Sequence, residues 1–395
     1  MAEDRLSLKE AADRAGVSPA TLKRWAETGV IPQVDGKAEW SAAAVAHARI
    51  VARLRERGHS LEHIREASRQ GRLAYGFVEE LFPHDREPRS VEDASDATGL
   101  EEKLIERFWT GMGLPPQALE ENLTDEDIQA LQYVASVLAA GFPLVAFLQL
   151  ARVYGQALSQ IADAEVRLFH LYVHEPLIRE GVPGLEMAEE MSGLARDLLP
   201  LASPLMDYVH QRFLQHFIAQ DVVGHMEIEL EGDVDLGRVR VAIAFADLAG
   251  YTRFTEEEGD EEALSFVERF IESVNATLPD DARVVKTIGD EVMVVGQDIV
   301  ALTDWAVEFQ KLYDERPEPR IGIHQGAALY RDGDYFGRAV NLAARVGARA
   351  AGGEVLVTGD VADQAGRHLD LRHIGEVKLK GFNEATDLFT ASRKP

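Results

Sequence analysis

Two acidic side chains, each at the end of an apolar run, constrain the C-terminal part of the chain most strongly. Residues 238–245 have the pattern of a β-strand, and Asp247 follows one residue later. Further along, two apolar runs within 282–295 flank a Gly-Asp pair that ends in Asp290, which is the pattern of a β-hairpin. If the hairpin lies beside the first strand, the two carboxylates converge and could hold Mg²⁺ ions around a triphosphate. Either carboxylate alone would equally suit a turn.

Further charged and amide side chains follow in a defined order. Lys286 lies on the first strand of the predicted hairpin, and Asp334 precedes an aromatic pair. Asn341 and Arg345 are four residues apart, so they share one face of a predicted helix. Residues 377–382 add two lysines. This order and context favour metal binding by the two carboxylates more strongly than either one does alone.

The same segments resemble the class III nucleotidyl cyclases. The matching stretches are residues 245–252, 286–290, 334–345 and 379–381, and they occur in the family's order. The resemblance implies an α+β, ferredoxin-like catalytic domain over residues 238–395. It also implies an adenylyl cyclase, which converts ATP to 3′,5′-cyclic AMP and pyrophosphate as a homodimer.

The resemblance assigns metal binding and base recognition to four residues. Asp247 and Asp290 would hold two Mg²⁺ or Mn²⁺ ions per active site. Lys286 and Asp334 would recognise the purine. Lysine only donates hydrogen bonds and ionised aspartate only accepts them, which fits the N1 acceptor and the 6-amino donor of adenine. Guanylyl cyclases of this family usually carry Glu at the lysine position.

The remaining roles concern the ribose and the phosphates. By resemblance, Asn341 would orient the ribose, and Arg345 would stabilise charge on the α-phosphoryl group. Lys380 would contact the triphosphate, with Lys378 as its alternative. One metal ion would lower the pKa of the ribose 3′-hydroxyl, which attacks the α-phosphorus in line. In this family the metal ligands and the Asn/Arg pair of one site come from different protomers, so a homodimer would have two complete sites.

The N-terminal region is patterned as short helices. Ser7 and Glu10 have the spacing of a capping box, and the Ser-Pro pair at 18–19 suits an N-cap followed by the first helical position. Two short helices joined by a tight turn form a helix-turn-helix. The Asp-Gly pair at 35–36 suits the hairpin of a wing.

This region resembles the MerR-type winged helix-turn-helix on residues 24–25 and 29–32. The second helix of such a motif enters the major groove of DNA. Its reading face would consist of Ala20, Thr21, Lys23 and Arg24. Residues 1–75 carry 13 Lys/Arg and 10 Asp/Glu within a chain of net charge −27. Only this region could approach a polyanion without long-range repulsion. The excess is small for a DNA-binding domain, and a fold that is kept for protein contacts is the alternative.

The middle of the chain has helical periodicity. Apolar residues recur at helical spacing over about 99–225, and Thr124 with Asp127 has a capping pattern. Pro200 and Pro204 predict a break before a last helix over 205–219.

Residues 148–155 and 208–212 are similar to the regulatory domain of mycobacterial pH-sensing adenylyl cyclases. That domain is all-α and can hold a fatty acid. The resemblance implies an apolar pocket lined by Phe142, Phe147, Tyr154, Phe169, Met187 and Met191. The same residues would equally fill a helical core. His170 and His174, one turn apart, could respond to pH or could be ordinary core and surface histidines.

Composition adds limits on compartment and membrane insertion. The chain has no cysteine, which excludes disulfides and cysteine-ligated metals and suits a cytoplasmic protein. Its N-terminus lacks the apolar segment of a signal peptide. Residues 130–151 carry no charge, but the Gly-Phe-Pro sequence at 141–143 interrupts them. We therefore expect two buried helices there and no transmembrane segment.

The sequence thus predicts a multidomain chain. The expected parts are a winged helix-turn-helix (1–83), a linker (84–98), an all-α regulatory domain (99–225), a linker (226–237) and the cyclase domain (238–395). The predicted function is a regulated adenylyl cyclase with lipid or pH as its input. The alternative is a DNA-binding transcription regulator that uses a cyclase-like dimer as a nucleotide sensor.

Overall fold

The computed structural model describes residues 6–31, 40, 42–73, 89–119, 123–181, 184–227, 238–365 and 368–394. It divides into two units, Met1–Leu214 and Gln215–Pro395, and each unit has its own hydrophobic clusters. Across the described ranges, no helix combines the length and the apolarity needed to span a membrane.

The first unit opens with short helices that have the predicted caps. These helices are α1 (Leu8–Arg14), α2 (Pro19–Glu27), α3 (Ala42–Glu56) and α4 (Leu61–Arg69). Ser7 and Glu10 form the capping box of α1, and Ser18 caps α2. Leu22, Trp25 and Ile64 lie in the core that these helices share. The predicted wing at residues 35–36 lies outside the described residues, so the winged motif stays a prediction.

The predicted linker 84–98 is wrong for its second half. Residues Val91–Thr98 form helix α5, because Ser90 and Asp93 make a capping box at its start. Ala94 on this helix is fully buried in the next hydrophobic cluster, so the segment belongs to the helical region. The acidic residues that suggested a linker occupy the first turn of α5, where the helix dipole favours them.

The uncharged stretch 130–151 forms two helices, as predicted, but the helices are not buried as expected, since Tyr133 and Val145 are 65% and 70% exposed. The helices that follow α5 are α6 (Glu102–Met112), α7 (Asp125–Ala139), α8 (Leu144–Phe169), α9 (Glu175–Glu180) and α10 (Gly184–Glu227). Thr124 and Asp127 cap α7 as expected. Gly141 has a φ of 93°, which ends the helix there, and α8 begins directly after Pro143.

The predicted break at Pro200 and Pro204 is absent, since α10 runs continuously through both prolines. A proline removes the hydrogen bond from its own nitrogen to the carbonyl four residues earlier, and its ring crowds that carbonyl, so its effect is confined to one turn. The two prolines are four residues apart, so both lost bonds fall on one side of the helix. Both prolines are exposed, and the rest of the helix remains intact around them.

The second unit is built on a single sheet. Its strands are β1 (Arg238–Leu248), β2 (Arg283–Ile288), β3 (Glu291–Gly296), β4 (Pro319–Arg331), β5 (Asp334–Phe336), β6 (Val355–Thr358), β7 (Leu369–Val377) and β8 (Thr386–Arg393). Its further helices are α11 (Tyr251–Glu258), α12 (Asp260–Thr277), α13 (Ile299–Leu312), α14 (Arg338–Arg349) and α15 (Gly359–Ala365). The strand order is β2-β3-β1-β4-β6-β8-β7, and β5 pairs with β4.

The first four strands have the predicted ferredoxin-like order. The chain runs β1, helices, β2, β3, helix, β4, and these strands lie side by side as β2-β3-β1-β4 with antiparallel pairing. Alternate residues of β1 enter clusters on opposite faces of the sheet: Ala242 and Ala244 lie on one face, and Ile243 and Phe245 on the other. Helix α14 packs against the second face.

Candidate active site

The first predicted carboxylate is held by a neighbouring strand. Asp247 lies one residue before the end of β1, directly opposite Arg320 of β4. The Arg320 Nε–H donates to Asp247 Oδ2 at 2.8 Å, and an Nη2–H donates to the same oxygen. The Asp247 side chain is only 14% exposed. Arg320 therefore fixes this carboxylate through a single oxygen.

The second predicted carboxylate meets the first. Gly289 has a φ of 65°, which allows the tight turn between β2 and β3 and puts Asp290 at the hairpin tip. Burial, a hydrogen bond with Asp247 and the charge of Asp247 raise the pKa of Asp290 from 3.8 to about 7. Neighbouring Glu291 also has a raised pKa, because it is partly buried and lies near Asp247. The expected convergence of the two aspartates is thus present.

The paired aspartates fit a hard divalent cation. Carboxylate oxygens are the ligands that Mg²⁺ and Mn²⁺ prefer, and a bound cation would favour the ionised form of Asp290, whose pKa burial and Asp247 raise. Among the described residues, no three His, Cys, Asp or Glu side chains gather into a metal-binding group. The chain would therefore supply two carboxylates, and the substrate phosphates and water would complete the coordination.

A bulge in β2 aims the predicted base-reading lysine. The register of β2 on β3 shifts between Val284 and Lys286, so that Lys286 pairs with Met293. Bulges re-aim side chains next to active sites. Lys286 Nζ forms an ion pair with Asp334 Oδ2, and it lies 5.8 Å from the centroid of the Phe336 ring. Both charged side chains are partly buried.

Strand β5 presents Asp334 with its carboxylate already oriented. The backbone N–H of Tyr335 donates to Asp334 Oδ1 at 2.7 Å. The other oxygen therefore faces Lys286. The structure thus brings Lys286 and Asp334 together although they are far apart in the sequence.

The other predicted catalytic side chains line a separate cavity. Asn341 and Arg345 lie on α14, and with Lys380 they border an open cavity of about 660 Å³. Its remaining lining residues are Gly337, Arg338, Gly381, Phe382, Asn383 and Glu384. Among the described residues, the lining includes neither of the paired aspartates and neither member of the base-reading pair. One cavity thus collects part of the predicted site, although the charge of Arg345 also reaches Glu291, next to Asp290.

Two glycines let α14 lie close to the sheet. A Cβ added at Gly322 of β4 would come within 1.9 Å of the backbone nitrogen of Gly347 on α14. Only a glycine fits at position 322 without moving the helix. This contact fixes the distance of α14 from the sheet, and with it the positions of Asn341 and Arg345.

Sequence reasoning missed Arg320 and Arg283. Arg320 shows its role only through the pairing of β1 with β4, which joins residues 73 positions apart. The available sequence signal was an arginine at the start of an apolar strand. Arg283 donates from Nη2 to the Tyr335 hydroxyl at 3.1 Å, a contact that again depends on tertiary structure.

The predicted DNA-contacting residues lie on α2. Lys23 and Arg24 are exposed, and Thr21 is half-buried. The Thr21 hydroxyl is hydrogen-bonded to Ser18 at 2.9 Å, and Lys23 lies 3.8 Å from Glu27. DNA contact by this face stays a prediction.

The six predicted pocket residues do not all gather in one cluster of the described residues, and the lipid pocket stays a prediction. Phe147 stacks on Phe108 at 5.7 Å in one cluster. Another cluster contains Phe169, Met187 and Met191. The two remaining candidates, Phe142 and Tyr154, are 45% and 43% exposed. Helical spacing identified apolar positions, but it did not show which helices cover them.

The two predicted histidines are in contact. Nδ1 of His174 lies 3.0 Å from Nδ1 of His170, within the π-helical turn His170–His174. His174 is buried, and its Nε2 lies 3.0 Å from the carbonyl oxygen of Gly71. The histidine pair thus links this turn to the segment that follows α4.

Two family models match the chain. The model of the adenylate cyclase regulatory domain matches residues 28–218, and the model of the adenylate and guanylate cyclase catalytic domain matches residues 237–391. Both models describe parts of cyclases. The alternative of a transcription regulator is therefore not favoured.

Several relatives align along most of their length. An adenylate cyclase of Streptomyces coelicolor is 32% identical over 283 residues, which cover 70% of this chain and 71% of that protein. A pH-sensitive adenylate cyclase of Mycobacterium tuberculosis is 28% identical over 331 residues, which cover 82% of this chain and 81% of that protein. The solved structure of the adenylyl cyclase CyaB from P. aeruginosa is 21% identical, with a TM-score of 0.36 over 40% of this chain and 96% of that chain.

Proposed function

We propose a reaction for this chain, which is an adenylate cyclase and belongs to the adenylate cyclase family. It converts ATP to 3′,5′-cyclic AMP and pyrophosphate, and two copies of the chain together form each active site. One observation carries the proposal: within the described part of one chain, the cavity lined by a second group of candidate side chains includes none of the first group in its lining. The first group is the paired aspartates with Lys286 and Asp334. The second is the cavity bordered by Asn341, Arg345 and Lys380. A partner copy would supply the second group to the first.

The metal-binding part of the proposal rests on Asp247 and Asp290. These carboxylates would hold Mg²⁺ or Mn²⁺ ions, two per site. When bound, the ions would activate the ribose 3′-hydroxyl and neutralise charge on the triphosphate. Arg320 positions Asp247 through Oδ2 and offsets part of the negative charge that the two aspartates bring together.

Base recognition would depend on Lys286 and Asp334. The lysine would donate to N1 of adenine, and the carboxylate would accept from the 6-amino group. Guanine presents the opposite polarity on this edge, and it would leave both charged groups without a matching partner. A substrate that leaves a desolvated polar group of the site without a hydrogen-bond partner is strongly disfavoured. ATP would therefore be preferred over GTP.

The cavity on α14 would bind the rest of the nucleotide. Asn341 would orient the ribose so that its 3′-oxygen approaches the α-phosphorus in line. Arg345 would stabilise the negative charge that develops on the α-phosphoryl oxygens, and Lys380 would hold the departing pyrophosphate. All three side chains border one cavity, which supports their assignment to a common substrate.

Dimer formation is also supported by exposed apolar surface on the long helix. The large side chains of α10 that are at least 41% exposed include Leu198, Leu201, Leu205, Tyr208, Val209 and Phe213. Apolar surface of this extent is rarely left in contact with water. A second copy of the chain, which completes the active sites, is the partner that we propose for it.

We also propose that the N-terminal unit regulates the cyclase. Support comes from the match of residues 28–218 to the regulatory domain model and from the similarity to a pH-sensitive relative. His170 and His174 are the groups through which a proton input could act. A His174→Gln variant that kept the same activity profile between pH 5.5 and 8 as the unmodified protein would exclude this input.

The direct test is product analysis with the purified full chain. We expect cyclic AMP from ATP with Mg²⁺ or Mn²⁺, and little cyclic GMP from GTP. The Lys286→Ala variant should lose at least about tenfold in kcat/KM for ATP, since one charge-assisted hydrogen bond is removed. Absence of cyclic AMP under all metal conditions would overturn the function. Equal use of GTP would overturn the roles of Lys286 and Asp334.

A further inference from the structure

The far end of α10 contacts the base-reading part of the catalytic unit. The division into units falls between Leu214 and Gln215, so the last turns of α10 belong to the catalytic unit. Phe217 on these turns lies under the guanidinium of Arg283, with Cζ 5.1 Å from the ring centroid. The Gln220 side-chain amide donates to the backbone carbonyl of Asp280, just before β2. Two independent contacts therefore fasten the end of α10 to the start of β2.

Arg283 also contacts the strand that carries Asp334. Its Cζ lies 5.8 Å from the centroid of the Tyr335 ring, and its Nη2–H donates to the Tyr335 hydroxyl at 3.1 Å. Tyr335 is 9% exposed, and its backbone N–H holds Asp334 Oδ1. Arg283 is thus shared between Phe217 of α10 and Tyr335 of β5.

The bulge in β2 explains how Arg283 reaches this position. In a regular strand, residues 283 and 286 would point to opposite faces. Because of the bulge, Arg283 pairs with Val295 and Lys286 pairs with Met293, and these partners are two residues apart. Arg283 and Lys286 therefore lie on the same face. The first holds Tyr335, and the second binds Asp334.

We propose that Arg283 is a positioning residue for adenine recognition and that Phe217 of α10 holds it in place. Arg283 fixes Tyr335, Tyr335 fixes the carboxylate of Asp334, and Asp334 pairs with Lys286. The last turns of α10 then help to hold Lys286 and Asp334 in place. This inference rests on the proposed roles of Lys286 and Asp334, and it adds a route by which α10 would change nucleotide affinity.

The test compares ATP with ITP in the full-length protein. The base of ITP presents the guanine-type edge at N1 and O6 but lacks the 2-amino group, so it probes only the polarity that Lys286 and Asp334 read. We expect Arg283→Met and Phe217→Ala each to lower the ATP-over-ITP ratio of kcat/KM by about five- to tenfold, mainly through KM for ATP. Phe217→Tyr, which keeps the ring, should restore the ratio.

Matched variants separate positioning from damage to the fold. Ile218→Ala removes an exposed apolar side chain from the same helical turn and should leave the ratio unchanged. If Arg283→Met fails to fold, Tyr335→Phe removes only the hydroxyl that Arg283 contacts, and it should lower the ratio less. A merely structural role would lower kcat for both nucleotides alike and leave their ratio constant.

The Lys286→Ala variant is the reference for the base assignment. If Lys286→Ala lowers the ratio but Arg283→Met and Phe217→Ala do not, the positioning role is wrong and the base assignment stands. If Lys286→Ala itself leaves the ratio unchanged, the base assignment fails, and this inference fails with it. An equal effect of Ile218→Ala and Phe217→Ala would also overturn the role of Phe217.

Discussion

At the scale of single residues, Asp290 is the side chain whose state is most altered by the fold. Its carboxyl meets that of Asp247 in a half-buried site, and both burial and the neighbouring charge raise its pKa to about 7. In the unfolded chain the same group titrates near 3.8. In metal-free protein, this carboxyl therefore costs stability as pH rises between these two values. A bound cation would remove that cost.

We predict that Asp290→Asn abolishes cyclic AMP formation and raises the thermal stability of the metal-free protein at pH 8. The amide keeps the shape of the carboxyl but removes the charge that Asp247 repels. Since solvent reaches about half of the group and screens the interaction, we expect about 1 to 2 kcal/mol. The measurement is the melting temperature in EDTA at pH 8 and at pH 4.5.

The pH dependence gives this prediction its control. At pH 4.5 the native carboxyl is protonated and neutral, so most of the difference between variant and unmodified protein should disappear. A stability gain of the same size at both pH values would show that the Asp247–Asp290 interaction is not its cause.

The sequence identified some of these residues and not others, for a physical reason. Asp247, Asp290 and Lys286 stand at strand ends or beside a turn, and such positions can be read from local patterns. Arg320 and Arg283 act through partners on other strands. Their roles follow from register and from a bulge, which local patterns do not encode.

At the scale of secondary-structure elements, α14 contacts the sheet through its backbone as well as through its apolar side chains. Gly322 on β4 lets the helix backbone approach directly at Gly347. The helix in turn carries Asn341 and Arg345. A change at this crossing should therefore move two catalytic candidates without touching either of them.

We predict that Gly322→Ala destabilises the catalytic unit by about 2 to 4 kcal/mol and lowers kcat, because its Cβ would meet backbone that cannot give way. The matched variant is Gly347→Ala on the helix. Its Cβ would lie 3.2 Å from the Phe245 carbonyl oxygen, a contact that a small shift can relieve. Alanine also favours the helical conformation by about 0.5 to 1 kcal/mol, which offsets part of the crowding.

Thermal unfolding and cyclic AMP production of the two variants check this prediction. Equal melting temperatures for Gly322→Ala and Gly347→Ala would contradict the account of the crossing.

The elements also show where local sequence signals are insufficient. Caps at Ser7, Ser18 and Thr124 predicted helix starts correctly, because a cap is made within one turn. Pro200 and Pro204 predicted a helix end that does not occur. The cost of a proline is local, whereas the continuity of α10 depends on the hydrogen bonds of all its other turns.

At the scale of the whole molecule, one chain carries every candidate group but not in one place. The paired aspartates and Lys286 form one group, and Asn341 and Arg345 border a different cavity. The cyclase catalytic domain was readable from the sequence, since its motifs are local and occur in a defined order. The grouping of the apolar helix residues into clusters was not readable, because tertiary packing determines which helices cover each apolar face.

The most direct test of a site formed by two chains is complementation. Asp290→Asn and Arg345→Ala should each be inactive as homodimers, because each homodimer lacks an essential group in both sites. In a heterodimer of the two, one site carries both defects and the other carries none. After denaturation and refolding of an equal mixture, random pairing gives half heterodimers, so we expect about a quarter of the unmodified cyclic AMP rate. No recovery from a mixture that does contain heterodimers would contradict the shared site.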